Sequence, residues 1–365
     1  MFDCVLKDGW VLRDADLQTR AQPDWLGIEG EHIVATGDGP LPAGVAEKAA
    51  RVVDASGCLV TPGLINAHTH LSQTFMRGLA ADRSLASWLA SAVQPLQAGM
   101  TAEDVERASE LGIVENIRCG VTTIVQHHKV TSSRAHVEAA LRAASAVGIR
   151  MVLARGWRDI GARGEKVADI EAELRHLVGA WHGAAAGRLR IASGPMSPAS
   201  CSTDAMKTLS ACARDLGLLT HMYVAETTGE VFRFIQRECM SPIRWLDALG
   251  ALNPSTQLVH CVHIDDADLR LIQRSGATVI HCPVSNMRLA SGIASARRIL
   301  DHGICLCVGT DGAASNDTQD LPETLKQTVM LSNIQTGQAG AISPQVLLRL
   351  ATASAARAPG PRSAS

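Results

Sequence analysis

Aromatic side chains are scarce: 3% of the 365 residues, with six Trp, four Phe and one tyrosine, Tyr223. Any core must therefore be packed mainly by aliphatic residues, and a hydrophobic fraction of 46% supplies enough of them to exclude disordered and collagen-like classes. Charge of one sign is also lacking. Thirty-four basic against 36 acidic residues leave a formal charge of −2, which argues against a nucleic-acid partner bound through phosphate neutralisation. No apolar run approaches the roughly 18 residues of a membrane span, and Met1-Phe-Asp-Cys-Val opens without a basic-then-apolar leader. The expectation is a soluble, cytoplasmic protein with no membrane partner. Ten cysteines are present but no C-x-x-C pair, and several lie inside apolar runs such as Ile304-Cys-Leu-Cys-Val308. These read as buried thiols in a reducing compartment, not as a zinc site.

What is present divides at about residue 57. Before it, short β-rich runs alternate with turns. Val5–Leu12 reads as a hairpin about Asp8-Gly9, Trp25–Ala35 as a second turning at Glu29-Gly30, and Arg51–Gly57 as a strand leading out. Residues 1–57 are expected to form a small β-domain. From 58 to 355, β-rich runs alternate with segments of helical period. Eight runs qualify: Cys58–Asn66, Val121–Gln126, Arg150–Ala154, Leu189–Ser193, Leu218–Ala225, Gln257–Val262, Thr278–His281 and Ile304–Gly309. Helices are expected between them, for instance over Ala102–Arg118, Ser133–Val147, Thr203–Leu216 and Ala267–Ser275. This is the pattern of an α/β fold, a (β/α)₈ TIM-type barrel. A doubly wound open sheet is disfavoured because no G-x-G-x-x-G follows the first run.

A barrel gathers its chemistry at the C-terminal ends of its strands. The first run ends in Asn66-Ala-His68-Thr-His70, where alternation puts both imidazoles on one face, spaced to converge on one ion. The fifth ends in His221-Met-Tyr223-Val-Ala-Glu226, the sixth in His260-Cys-Val-His263, the seventh in His281-Cys-Pro-Val-Ser-Asn286, and the eighth in Gly309-Thr-Asp311-Gly. Chance placement of 13 histidines would scatter them over helices and loops as well.

Val60-Thr-Pro-Gly-Leu-Ile-Asn-Ala-His-Thr-His70, His281-Cys-Pro-Val-Ser-Asn286 and Gly309-Thr-Asp-Gly-Ala-Ala-Ser-Asn316 together resemble the metal-dependent amidohydrolase superfamily, in its branch of cytosine/guanine-type deaminases and triazine hydrolases. The resemblance spans about residues 5–355. It implies one divalent ion, zinc first and iron second, held by His68, His70 and Asp311. It also implies Glu226 as the proton carrier and His260 beside the attacking water. The activity implied is hydrolysis of a non-peptide carbon–nitrogen bond, the deamination of a heterocyclic amine (purine, pterin, pyrimidine or triazine). Coordination would bring the pKa of a water from 15.7 toward about 7. Asp311 would take its proton, Glu226 would protonate a ring nitrogen, and His260 would stabilise developing charge. Chlorohydrolysis or cyclic-amide hydrolysis would use the same centre. Relatives are commonly oligomeric, so a homo-oligomer is an open expectation.

Residues outside this set receive smaller roles. Gln73 is placed at the substrate, with Arg77 and Trp88 further along the same loop. His127-His128-Lys129 reads as rim or surface, His281 as a group orienting Asp311, and Ser315 and Asn316 as holding the last loop.

Two departures from the family pattern stand out. The strand-five ligand position is Tyr223, a phenol and a weak ligand at neutral pH. His221 shares its face but lies about 6.6 Å back along a strand of about 3.3 Å per residue. A weakened three-ligand site, a rearranged site using His260 or His221, and no metal at all are the three outcomes; the last would make the chain an impaired homologue kept for binding or subunit pairing. Residues 356–365, rich in Pro, Gly, Ser and Arg, read as a disordered tail where the family continues into strands. The N-terminal β-sandwich domain is accordingly expected to be incomplete, with exposed edges.

Overall fold

The computed structural model describes residues 1–12, 22–79 and 82–358. It divides into two compact units, Met1–Gly63 and Leu64–Ser365.

The first unit is built on a five-stranded sheet, with strands ordered His32–Asp38, Asp24–Glu29, Cys4–Val11 and Val52–Asp54, and Leu59–Val60 pairing off the path with Cys4–Val11. The expected hairpin about Asp8-Gly9 is instead one continuous strand. Asp8 takes φ 61°, and the pairing skips from Leu6↔Leu26 to Gly9↔Asp24. The turn-type dipeptide thus makes a bulge, not a reversal. Gly9 is required there, because a Cβ would come within 2.9 Å of the Val60 side chain. The second expected hairpin is present, with Glu29 opposite His32 and Gly30 left-handed at φ 58°.

The second unit is the barrel. Its staves are β1 (Leu64–His70), β2 (Val121–His128), β3 (Arg150–Trp157), β4 (Leu189–Pro195), β5 (Thr220–Val224), β6 (Thr256–His260), β7 (Thr278–His281) and β8, which runs in two pieces, Leu306–Val308 and Asp311–Gly312. All pair in parallel, each with its sequence neighbour. The first piece of β8 lies against β7 (His281↔Val308) and the second against β1 (Asp311↔Thr69), which closes the ring. The break between them falls at Gly309, where a Cβ would sit 2.7 Å from the backbone nitrogen of His68. The run read as the first stave, Cys58–Asn66, is divided by Pro62-Gly63: Leu59–Val60 belong to the small sheet and β1 begins only at Leu64. Proline has no amide hydrogen to give the ladder, so the strand cannot continue through it.

Helices over Ala102–Arg118, Arg134–Val147, Val167–Trp181, Thr203–Asp215 and Asp266–Ser275 alternate with the staves. Capping boxes at Thr101/Asp104 and Asp265/Asp268 start two of them, and Gly148 and Gly276 end two in the left-handed conformation. Their buried faces, with Leu141, Ile170, Leu174, Leu209 and Ile272, form the main aliphatic core. Inside the barrel a smaller cluster holds Ala67, Tyr223, Val259, Ile280, Cys282 and Cys307, closed by Ala358. Of the tail expected from residue 356, Ala356 and Arg357 finish the helix Ala353–Arg357 and Ala358 is buried, while 359–365 lie outside the described residues. All ten cysteines are free thiols. No helix among the described residues is long and apolar enough to cross a membrane.

Candidate active site

Three side chains meet at the C-terminal end of the barrel. His68 and His70, two apart on β1, send Nε2 to within 3.4 and 3.0 Å of Asp311 Oδ1. The three are 0%, 2% and 6% exposed, and their ligand atoms lie within 4.8 Å of one another. Donors around a tetrahedral ion with bonds of about 2.0–2.1 Å stand about 3.3 Å apart, close to the 3.4 and 3.0 Å that separate the two imidazoles from Asp311 Oδ1. The carboxylate is aimed by Ser285 Oγ, which donates to Oδ2 at 2.6 Å, and by the Gly312 amide, which donates to Oδ1 at 2.8 Å.

The hydrogen bonds behind the imidazoles fix which nitrogen is bare. Burial pushes both rings below the usual imidazole range, so each is neutral and carries one proton. His70 Nδ1 donates to the His127 carbonyl at 2.7 Å, leaving Nε2 as a lone pair. His221 Nδ1 donates to Gln257 Oε1 at 2.7 Å, so its Nε2 accepts from His68 Nδ1 at 2.8 Å. His68 Nε2 is then bare as well, and it has no hydrogen-bond partner among the described residues. Two lone pairs and a carboxylate oxygen face one another in a buried space. That donor set suits a divalent cation of the zinc or iron kind. His221 therefore stands behind the cluster, not in it.

Tyr223 reaches the same point from β5. Its hydroxyl donates to His70 Nε2 at 2.9 Å. Burial, helped by the charges of Asp311 and Glu226, raises the phenol well above its ordinary range, so it keeps its proton. Opposite, His260 Nε2 lies 3.5 Å from Glu226 Oε2. His260 Nδ1 donates to Asn286 Oδ1 at 2.8 Å, and Ser291 Oγ donates to Glu226 Oε1 at 3.2 Å. Ala225, His260, Cys261 and Asp311 all have left-handed φ between 48° and 76°. Each such residue costs about 1–3 kcal/mol, and all four sit where β5, β6 and β8 end.

Tyr223, Glu226, His260 and Asp311 open onto a cavity of about 600 Å³, with Trp88 and Lys129 on its walls. Gln73 is not on that wall. It is buried against Gly312, its amide without a partner among the described residues. His127 and His128 are fully buried strand residues, because β2 runs on to residue 128. Arg77 pairs with Glu115 on the surface. Asn316 Nδ2 donates to the Thr310 carbonyl at 2.6 Å and Ser315 Oγ to that of Gly312 at 3.2 Å, as expected of residues that hold the last loop.

Sequence reasoning gave the orienting role at Asp311 to His281, but Ser285 fills it, and His281 Nδ1 has no partner among the described residues. Ser285, Asn286 and Gln257 were the residues missed. The first two could have been found: a helical turn, Pro283–Arg288, starts just after β7 and carries both back toward the centre.

A closed eight-stave barrel with an H-x-H on its first strand and an aspartate on its last defines a class of metal-dependent hydrolases. The pattern of the amidohydrolase family matches residues 59–362, and the chain belongs to that family. It is 34% identical over 362 residues to a 5'-deoxyadenosine deaminase of Methanosarcina mazei, covering 99% of this chain and 81% of that one. It is 33% identical over 353 residues to a 5-methylthioadenosine/S-adenosylhomocysteine deaminase of Desulforudis audaxviator, covering 96% and 80%. Among solved structures, an adenosine deaminase from Xanthomonas campestris with bound zinc superposes with a TM-score of 0.86 at 26% identity, covering 98% of this chain and 80% of that one.

Proposed function

We propose that the chain is a hydrolytic deaminase that removes the exocyclic amine of a purine-type ring, with one divalent ion, zinc first, held by His68, His70 and Asp311. The observation that carries this reading is two Nε2 lone pairs facing Asp311 Oδ1, that of His68 bare and that of His70 shared with the Tyr223 hydroxyl, beside a cavity onto which Glu226, His260 and Asp311 open. A divalent cation held by these three residues would lower the pKa of a coordinated water from 15.7 toward about 7 and so would supply a nucleophile at neutral pH. Asp311, with Oδ2 tied to Ser285, keeps Oδ1 turned toward the cluster, where it can accept a proton from water. Glu226, steadied by Ser291, delivers a proton to the ring nitrogen beside the amine. His260 commits Nδ1–H to Asn286 and keeps Nε2 on the Glu226 side, free to exchange a proton with that carboxyl or to steady charge on the substrate.

The relatives named above act on adenosine derivatives, and the cavity is large enough for a nucleoside. Protein loaded with zinc to about one ion per chain is incubated with 5'-deoxyadenosine, 5'-methylthioadenosine, adenosine and guanine, and ammonia is measured. Release from at least one is expected. Silence across the panel at verified zinc content overturns the proposal. The rival reading, a chain kept for binding or subunit pairing, draws on one observation, the Tyr223 hydroxyl capping His70 Nε2. Failure to retain zinc separates it from the first.

A further inference from the structure

Cys305 and Cys307 flank Leu306, where β8 begins. Residues two apart on a strand share a face, and both thiols pack into the cluster inside the barrel, Cys307 fully buried and Cys305 part-exposed. The neighbouring stave supplies a third group. Val279 of β7 pairs with Leu306, and its amide donates to the Cys305 carbonyl at 2.9 Å, so one step back Thr278 stands beside Cys305. The Thr278 side chain is 0% exposed, and its hydroxyl has no hydrogen-bond partner of its own among the described residues. From the other side comes the helix Ala353–Arg357, where Cys305 Sγ donates to the Ser354 carbonyl at 3.7 Å and the charge of Arg357 reaches the sulfur. Two groups able to donate to the sulfur, with a cation nearby and one weak acceptor opposite, favour the thiolate over the thiol. The Cys307 thiol first, then Thr278 and Arg357, bring Cys305 down to about 7 against the burial that opposes them.

A hydroxyl sealed from water without an acceptor is costly, and a sulfur anion at Cys305 is the acceptor that Thr278 otherwise lacks. Cys307 does not become a covalent partner. Along an extended strand, Cα atoms two residues apart stand about 6.6 Å from each other, at the upper edge of the roughly 4.4–6.8 Å that a disulfide spans. We propose that Cys305 is a covalent modification site at which the thiolate exchanges with a low-molecular-weight disulfide, with Thr278 and Cys307 holding the thiolate ready. The thiolate attacks one sulfur of that disulfide, the old S–S bond breaks, and a bond from Cys305 to the attacked sulfur forms. The other half leaves as a thiolate with the electron pair. One disulfide is consumed and one is made, so no further oxidant is needed. The site lies at the N-terminal mouth of the barrel, at the opposite end from His68, His70 and Asp311, and stands whether or not the deaminase reading does.

The test needs no turnover. The full-length chain is treated with glutathione disulfide at about pH 6, quenched at intervals, and mapped peptide by peptide by mass spectrometry. Cys58 and Cys239 are the exposed thiols, so accessibility alone would put them first. Cys305 is expected to form the adduct at least about threefold faster than either. At that pH a thiol near 7 holds about thirty times the thiolate of one near 8.5, and returns part of this as lower nucleophilicity. The Cys305 rate is expected to reach half its plateau near pH 7. T278V is expected to slow it at least about threefold, and T278S to keep the parent rate. Melting of each variant is followed alongside, because unfolding would speed every buried thiol whereas the proposal requires Cys305 alone to slow. Cys58 or Cys239 reacting ahead of Cys305 in the parent chain, or a half-plateau above about pH 8, overturns the proposal without recourse to any variant. An unchanged rate in folded T278V overturns it as well.

Discussion

At the scale of single residues, the zinc affinity proposed for the site would rest on side chains that never touch the ion. Gln257 accepts from His221, His221 accepts from His68, and the far nitrogen of His68 is left bare. Breaking the first link lets the His68 proton move to Nε2, the side on which the proposed ion would sit. Gln257→Leu is expected to weaken zinc binding by about 10–100-fold, the usual cost of losing such an outer partner, with little change in thermal stability. Competition against a chelator of known affinity measures this, and unchanged affinity would show that the relay does not set the tautomer. Tyr223 acts in the opposite sense, since its hydroxyl proton occupies the His70 lone pair. Tyr223→His replaces that proton with a third imidazole and is expected to tighten zinc by at least tenfold in the same assay, roughly 1.4 kcal/mol. Equal or weaker binding would mean that the position is too far from the ion to matter.

Among the elements, β8 decides whether the site forms. Its two pieces bond to different neighbours, and the join at Gly309 lets the chain cross close to His68 before Asp311 turns inward. A methyl group there must push β1 and β8 apart. Gly309→Ala is therefore expected to cost about 1–3 kcal/mol in urea unfolding, as overpacking of a tight contact does, and to weaken zinc by spreading His68 from Asp311. Full stability with full zinc affinity would contradict the close approach. The turn Pro283–Arg288 is the second deciding element, since it carries Ser285 to Asp311 and Asn286 to His260 within one turn of helix.

For the whole molecule, burial of neutral imidazoles makes folding depend on pH. His128 is held as one tautomer: Nε2 donates to the Val130 carbonyl at 2.7 Å and Nδ1 lies 3.0 Å from Gln126 Nε2. Burial pushes His128 and His281 down to about 4, against an ordinary value near 6.5. The unfolded chain takes up protons at these residues below about pH 6.5 and the folded chain does not. Their contribution to stability is complete above about 6.5 and is lost as pH falls toward 4. Urea unfolding of the metal-free protein should give a plateau near about pH 7.5 and a steady decline to about pH 4.5; a flat profile would mean that these rings accept protons in place.

Most of the fold was legible in the sequence. Period and length placed the staves, and Ala102–Arg118 forms the helix its pattern announces, because an aliphatic chain with so few aromatics leaves alternation and helical period as clear signals. The pairing of His68 with His70 was equally plain, since residues two apart on a strand share a face. The division at Pro62-Gly63 and the bulge at Asp8 were less so, because a local turn signal does not say whether the chain reverses, kinks or merely changes sheet. Which histidine stands behind which, that Ser285 and not His281 aims Asp311, and that Lys129 overhangs Tyr223 were decided only by closure of the barrel. These are contacts between strands far apart in the chain, and their distances follow from stave tilt and register, which no local pattern of residues encodes.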